Sequence, residues 1–152
     1  MDSRLAERVE LIEQDDRHGA SWLAREAVEA VCEAVQMGED PVALAQRIVR
    51  ARPAMGAIAG ALGRVLVSGR SDEQIMEEAR AVIEGRERAG KAIAVLLSPH
   101  IEGTVMTHSN SATVREAIEH TPPDRVVCVY DVGNCCSRAA RRPVASRRRL
   151  PC

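Results

Sequence analysis

Aromatic residues are almost missing from this chain: there is no phenylalanine, one tryptophan and one tyrosine in 152 residues. A core must therefore be assembled from Ala, Val, Leu, Ile and Met, a composition that suits closely packed helices and excludes a base-stacking platform for single-stranded nucleic acid. Long apolar runs are missing too. The longest plain aliphatic stretch, 92–97, falls far short of the roughly 20 residues a bilayer requires, and the charged opening from Asp2 to Arg17 holds no apolar core of a secretory signal. A cytoplasmic protein with no membrane partner is expected. The five cysteines (Cys32, Cys128, Cys135, Cys136, Cys152) include no Cys-x-x-Cys pair and have no histidine at zinc-finger spacing. Neither a disulfide framework nor a metal site is expected, and nothing calls for a cofactor.

What is present is enough for one domain or two small lobes: 45% of the residues are hydrophobic. The formal charge of −1 hides a division along the chain. Residues 1–131 hold 15 basic and all 22 acidic residues, a balance of −7, whereas residues 132–152 hold six arginines and no acid.

The first hundred residues carry helical spacing throughout. Leu5, Val9 and Ile12 mark an opening amphipathic helix that runs into the break Asp15-Asp16-Arg17-His18-Gly19. From Ala20 the stripe Leu23, Ala27, Val28, Val31, Cys32, Val35 marks a second helix that stops at Gly38. Pro41 fits the first turn of a helix over 42–50. Pro53 is placed in the first turn of the next, whose expected apolar face is Met55, Ile58, Ala59, Leu62, Val65 and Leu66. Ser71-Asp72-Glu73-Gln74 is a capping-box pattern opening a long helix towards Pro99, with an expected weak point near Gly85 or Gly90. Its apolar face is read as Ile75, Ala79, Val82, Ile83, then Ile93, Leu96 and Leu97.

After Pro99 the pattern changes. A short β-like run, Thr104 to Thr107, turns through small polar residues into a helix ending near His120, and a β-branched run follows from Arg125 to Tyr130. Strand, helix, strand is a βαβ unit with parallel strands. The turn at Thr107-His108-Ser109-Asn110-Ser111 lies at the carboxyl end of the first strand, where open α/β sheets bind ligands. Free N–H groups, hydroxyls and the positive end of a helix dipole suit phosphate there, although small polar residues at such junctions also serve as plain N-caps.

Three segments resemble, in order, the initiation factor 2B alpha/beta/delta-like proteins and the related ribose-1,5-bisphosphate and methylthioribose-1-phosphate isomerases. Arg17-His18-Gly19-Ala20-Ser21 is similar to that group's Arg-Gly-Ala type loop. Arg52-Pro53-Ala54-Met55-Gly56 is similar to its Arg-Pro opening of a later helix, and Thr107-His108-Ser109-Asn110-Ser111 to its Thr-His-x-x-[ST] turn. The span runs from about Asp16 to Cys128. The resemblance implies an α plus α/β architecture: a helical N-terminal domain (1–100), the start of a Rossmann-like parallel-sheet domain (101–131, one βαβ unit), and a basic tail (132–152). It also implies a pocket for a phosphorylated sugar or nucleotide between the helical and α/β domains. The site residues carried over are Arg17, Gly19, Ala20, Ser21, Arg52, His108, Ser109, Asn110 and Ser111. An arginine fork holds phosphate through paired N–H bonds, which gives Arg17 and Arg52 a physical role; the plainer use of Arg52 is a surface charge before a helix, and of His18 a loop residue.

Two departures bear on catalysis. Ser109 occupies the position of the isomerases' cysteine, and a hydroxyl needs a neighbouring base that the local sequence does not supply. The family's catalytic aspartate lies further along the α/β domain and has no counterpart here. No catalytic residue is therefore assigned, and the expected function is a non-catalytic, regulatory or initiation-factor-like phosphate-binding protein, the alternative being a truncated isomerase of the ribose-1,5-bisphosphate type. The Arg- and Cys-rich end is read as the product of a shifted frame beginning between Cys128 and Cys136, or else as a basic arm, the one place where nucleic acid would bind. A complete relative would pair through its α/β domain as a homo-oligomer.

Overall fold

The computed structural model describes residues 3–67, 69–107 and 111–128. The chain divides into two compact units, Met1–Gly90 and Lys91–Cys152. The tail 132–152, with the frame-shift or basic-arm reading attached to it, lies outside the described residues, as do Val129 and Tyr130.

The first unit is a helical bundle of α1 (Ser3–Gln14), α2 (Ala20–Gln36), α3 (Pro41–Ala51), α4 (Gly56–Val65) and most of α5 (Asp72–Leu97). Each helix buries the stripe its period sets: Leu5, Val9 and Ile12 of α1, Leu44, Ala45 and Ile48 of α3, and Ile75, Ala79 and Val82 of α5. α2 is the axis of the unit, with contacts to α1, α3 and, most extensively, α4. Seven of its residues are buried, and four of these are alanines (Ala24, Ala27, Ala30, Ala34), which let neighbouring backbones approach closely. That is how a core without Phe is filled.

The helix ends follow local chemistry. At the end of α2 the Glu39 N–H donates to the Ala34 carbonyl (2.9 Å) and the Gly38 N–H to Val35 (3.1 Å), with Gly38 at φ +71°, a Schellman arrangement that only glycine adopts without strain. Asp40 caps α3, its Oδ1 accepting from the N–H groups of Val42 (2.9 Å) and Ala43 (3.1 Å). Ser71 and Gln74 form the reciprocal capping box: the Ser71 N–H donates to Gln74 Oε1 (2.9 Å) and the Gln74 N–H to Ser71 Oγ (3.4 Å).

Three expectations are corrected. Pro53 does not open α4. Met55 donates its N–H to the Arg52 carbonyl (3.0 Å), so Pro53 sits second in a β-turn, which suits its fixed φ, and α4 starts at Gly56. Ala61 joins Ile58, Leu62 and Val65 in the core in place of Ala59, which is exposed. α5 runs unbroken through Gly85 and Gly90, braced by Arg25–Glu87 (2.5 Å), by Arg86 donating to the Ala57 carbonyl (3.2 Å) and by the i,i+4 pair Glu84–Arg88 (3.4 Å).

The second unit contains the end of α5, a 3-10 turn (Ser98–His100), β1 (Thr104–Thr107), α6 (Ala112–His120) and β2 (Arg125–Cys128). The strands pair in parallel, with Thr104 opposite Arg125 and Thr107 opposite Cys128. Ser98 and Thr121 share a hydroxyl–hydroxyl bond, and α6 contacts the 3-10 turn. Ala94, Ala117 and Pro123 are buried in this unit, whereas Ile93, Leu96 and Leu97, expected on the buried face, are 41%, 72% and 37% exposed. Among the described residues, the two strands and one short helix of this unit leave them uncovered. No helix of the described residues is long and apolar enough to cross a membrane.

Candidate functional site

The turn joining α1 to α2 is organised by one carboxylate. Asp15 Oδ1 accepts from the backbone N–H groups of Arg17 (3.0 Å) and His18 (2.7 Å), and Oδ2 lies 2.7 Å from His18 Nδ1. The Asp15 side chain is only 9% exposed. Burial pushes its carboxyl up, but the backbone N–H and ring of His18 and the N–H of Arg17 outweigh burial and hold it below the ordinary aspartate range. The His18 ring stacks on Trp22, with centroids 3.8 Å apart and planes at 21°.

Gly19 is the N-cap of α2. Its carbonyl accepts from Trp22 (3.0 Å) and Leu23 (3.2 Å), and with no side chain it leaves the first turn without a side-chain cap. The positive end of the α2 dipole thus emerges at Gly19, Ala20 and Ser21.

Arg52 approaches this turn from the end of α3. Its Nε donates to the Ile12 carbonyl (2.9 Å) and its Nη2 to the Asp15 carbonyl, so the side chain caps the C-terminal end of α1. Two of the five guanidinium donors are engaged in this way. Arg70 does the same for α4, donating to the carbonyls of Arg64 and Val65. The structure therefore brings Arg17, Gly19, Ala20, Ser21 and Arg52 into one neighbourhood, and it gives Arg52 a definite helix-capping task that spacing alone does not reveal.

The remaining candidates belong to the other unit. Ser111 is the N-cap of α6, its Oγ accepting from the Val114 N–H (3.4 Å) and its carbonyl from Arg115 (2.9 Å). That hydroxyl is in the plain capping role. His108, Ser109 and Asn110 lie outside the described residues.

Sequence reasoning missed Asp15 and Trp22. The signal for Asp15 was available: an aspartate two and three residues ahead of the N–H groups it binds is an Asx-type turn former. For Trp22 the i,i+4 spacing from His18 was a hint, but His18 precedes the helix, so helical spacing carries no force there.

No protein-family model matches the chain, and no curated protein matches its sequence. Among solved structures, the crystal structure of the Pyrococcus horikoshii OT3 translation initiation factor eIF-2B aligns with 84% of this chain at a TM-score of 0.69 and 21% identity. The described chain has the eIF-2B fold. It spans half that structure, 50% of which is covered. The likeness agrees with the expected fold class, a helical part followed by the start of a parallel α/β domain.

Proposed function

We propose that this chain is an initiation factor 2B-like protein that binds a phosphorylated sugar or nucleotide without turning it over, in a regulatory or initiation-factor role in the cytoplasm. The phosphate is received at the uncapped N-terminus of α2 by the backbone of Gly19, Ala20 and Ser21, with Arg17 supplying a guanidinium and Arg52 holding the turn in place. The observation that carries this reading is the Arg52 bond to the Asp15 carbonyl, which ties the Arg52 motif to the end of α1, two residues ahead of the Arg17–Ser21 motif that opens α2. The junction 108–111 is proposed as a second anion-holding turn, and the α/β part as the surface for self-association. Absence of turnover is argued from Ser109 in the place of the isomerases' cysteine, since a hydroxyl needs a neighbouring base and the local sequence supplies none.

Calorimetry on the full chain with ribose-1,5-bisphosphate and with adenosine monophosphate tests the reading. Binding is expected, weakened on the order of tenfold or more by Arg17→Ala, the loss of one charge-assisted hydrogen bond. No heat with either ligand overturns it. Conversion of ribose-1,5-bisphosphate to its ribulose isomer, abolished by Ser109→Ala, would establish the isomerase instead.

A further inference from the structure

The connection from α1 to α2 has a built-in titratable element. His18 lies between a carboxylate and an indole: Asp15 Oδ2 is 2.7 Å from Nδ1, and the Trp22 ring covers one face at 3.8 Å. Its side chain is nevertheless 46% exposed, so the ring exchanges protons with water, while the Asp15 carboxylate behind it is shielded.

We propose that His18 is a proton-sensitive clasp on the 15–19 turn, closed when the imidazole is doubly protonated and loosened when it is neutral. An imidazolium gains twice from this geometry, through a charge-assisted hydrogen bond to Asp15 and through a cation–π contact with Trp22. A neutral ring keeps the hydrogen bond and the stacking but loses both electrostatic parts. The same carboxylate holds the Arg17 and His18 amides, and Arg52 holds the Asp15 carbonyl, so loss of the ring's grip on Asp15 is passed to the whole turn.

Asp15, Asp16 and Arg17 are the charged groups on the clasp's own turn, and Arg52 reaches the Asp15 carbonyl from the end of α3. On the helices that flank the turn, Glu13 pairs with Arg47 of α3 (2.7 Å), and Arg25 of α2 pairs with Glu29 (2.8 Å) and with Glu87 of α5 (2.5 Å). Among the described residues, the Asp15 carboxylate is the one paired with the imidazole. The clasp stands on the geometry of the turn and is independent of whether a phosphate binds there.

Trp22 is the only tryptophan in the chain, so its emission reads the stack directly. An imidazolium against an indole quenches it by accepting an electron from the excited state. In the full chain, emission is expected to fall in a single step as the pH is lowered from about 8 to about 5. The step is lost in His18→Phe, which keeps a ring, and in His18→Gln, which keeps a donor; far-ultraviolet circular dichroism shows that each is folded. Asp15→Asn retains an acceptor for the two amides and reduces the step. By NMR, and after correction for intrinsic base catalysis, exchange of the Arg17 and His18 amides speeds up about two- to fivefold above the transition. Emission that is flat across this range, a step that persists in both folded His18 variants, or amide exchange equal on its two sides overturns the proposal. Because no ligand is added, failure here leaves the phosphate-binding reading standing, and failure of the calorimetry leaves the clasp standing.

Discussion

The guanidinium of Arg52 donates to the backbone carbonyl of Asp15, 37 residues earlier in the chain, and through Nε to the carbonyl of Ile12 at 2.9 Å. One side chain thereby closes the end of α1 and fixes the turn that leads into α2. Removing it leaves two carbonyls at a helix end without their partner. Arg52→Ala is expected to lower stability by about 1–3 kcal/mol, and Arg52→Lys, with a charge but no fork, by about 1 kcal/mol. Urea denaturation followed by circular dichroism measures both. Equal stability of Arg52→Ala and the parent would show that the carbonyls are satisfied without it.

Asp15 links the same turn to pH. Its carboxyl is held below the ordinary range in the folded state, so its contribution is fully present above the unfolded-state value near 4 and is lost as the pH falls through the folded-state value. The stability difference between the parent and Asp15→Ala should shrink as the pH falls below about 4. A difference that grows as the pH falls from about 4 to about 2 would contradict the assignment.

Arg8 behaves in the opposite sense. Its guanidinium joins α1 to three glutamates of α2, at 2.8 Å from Glu29 and 3.4 Å from Glu26 and Glu33. Burial lowers the Arg8 pKa, and the hydrogen bond to Glu29 with the charges of Glu33, Glu26 and Glu29 more than restores it. Arg8→Met leaves three part-buried carboxylates facing one another, which costs about 1–3 kcal/mol at neutral pH. Burial already holds the Glu26 carboxyl above the ordinary range, and loss of the guanidinium removes the charge that opposes this, so the deficit should shrink as the pH falls. Thermal melts of both proteins over a falling pH series provide the comparison.

Two glycines should respond with opposite signs. Gly38 sits at φ +71°, where a Cβ meets no atom within 4 Å but strains the backbone, so Gly38→Ala should cost about 1 kcal/mol. Gly60 lies inside α4 with open space around its Cβ position, and Gly60→Ala should stabilise by about 0.5–1 kcal/mol. Denaturant midpoints moving in the same direction would refute the pair.

The core stripe of α2 should be the least forgiving part of the bundle. Leu23 is completely buried, and Leu23→Ala is expected to cost about 2–5 kcal/mol, the spread reflecting how far the surrounding alanines collapse. Leu96 is 72% exposed, so Leu96→Ala should change stability by less than about 0.5 kcal/mol. Chemical denaturation of the two variants side by side checks this contrast.

Much of the fold was legible in advance because its signals are short-range. The stripes Leu5/Val9/Ile12 and Leu23 to Val31, the glycine that ends α2, the Pro41 opening and the Ser71–Gln74 box each depend on residues close together in the chain, and the structure reproduces them, as it does the order strand, helix, strand. Pro53 misled because proline fits both a helix's first turn and the second place of a β-turn, and only the Met55–Arg52 hydrogen bond separates the two. Three candidate segments were legible in the sequence, but the Arg52 bond to the Asp15 carbonyl was not.

The sequence by itself determined where the helices begin and end, which faces they turn inward, and that the chain passes from a bundle into a parallel sheet, since periodicity and capping act over a few residues. Tertiary structure alone decided that Arg52 meets the Asp15 carbonyl, that His18 rests between Asp15 and Trp22, and that Leu96 of the α5 stripe is left uncovered. Contacts between helix ends are set by how whole elements pack, and a stripe is buried only where another apolar surface of sufficient area meets it.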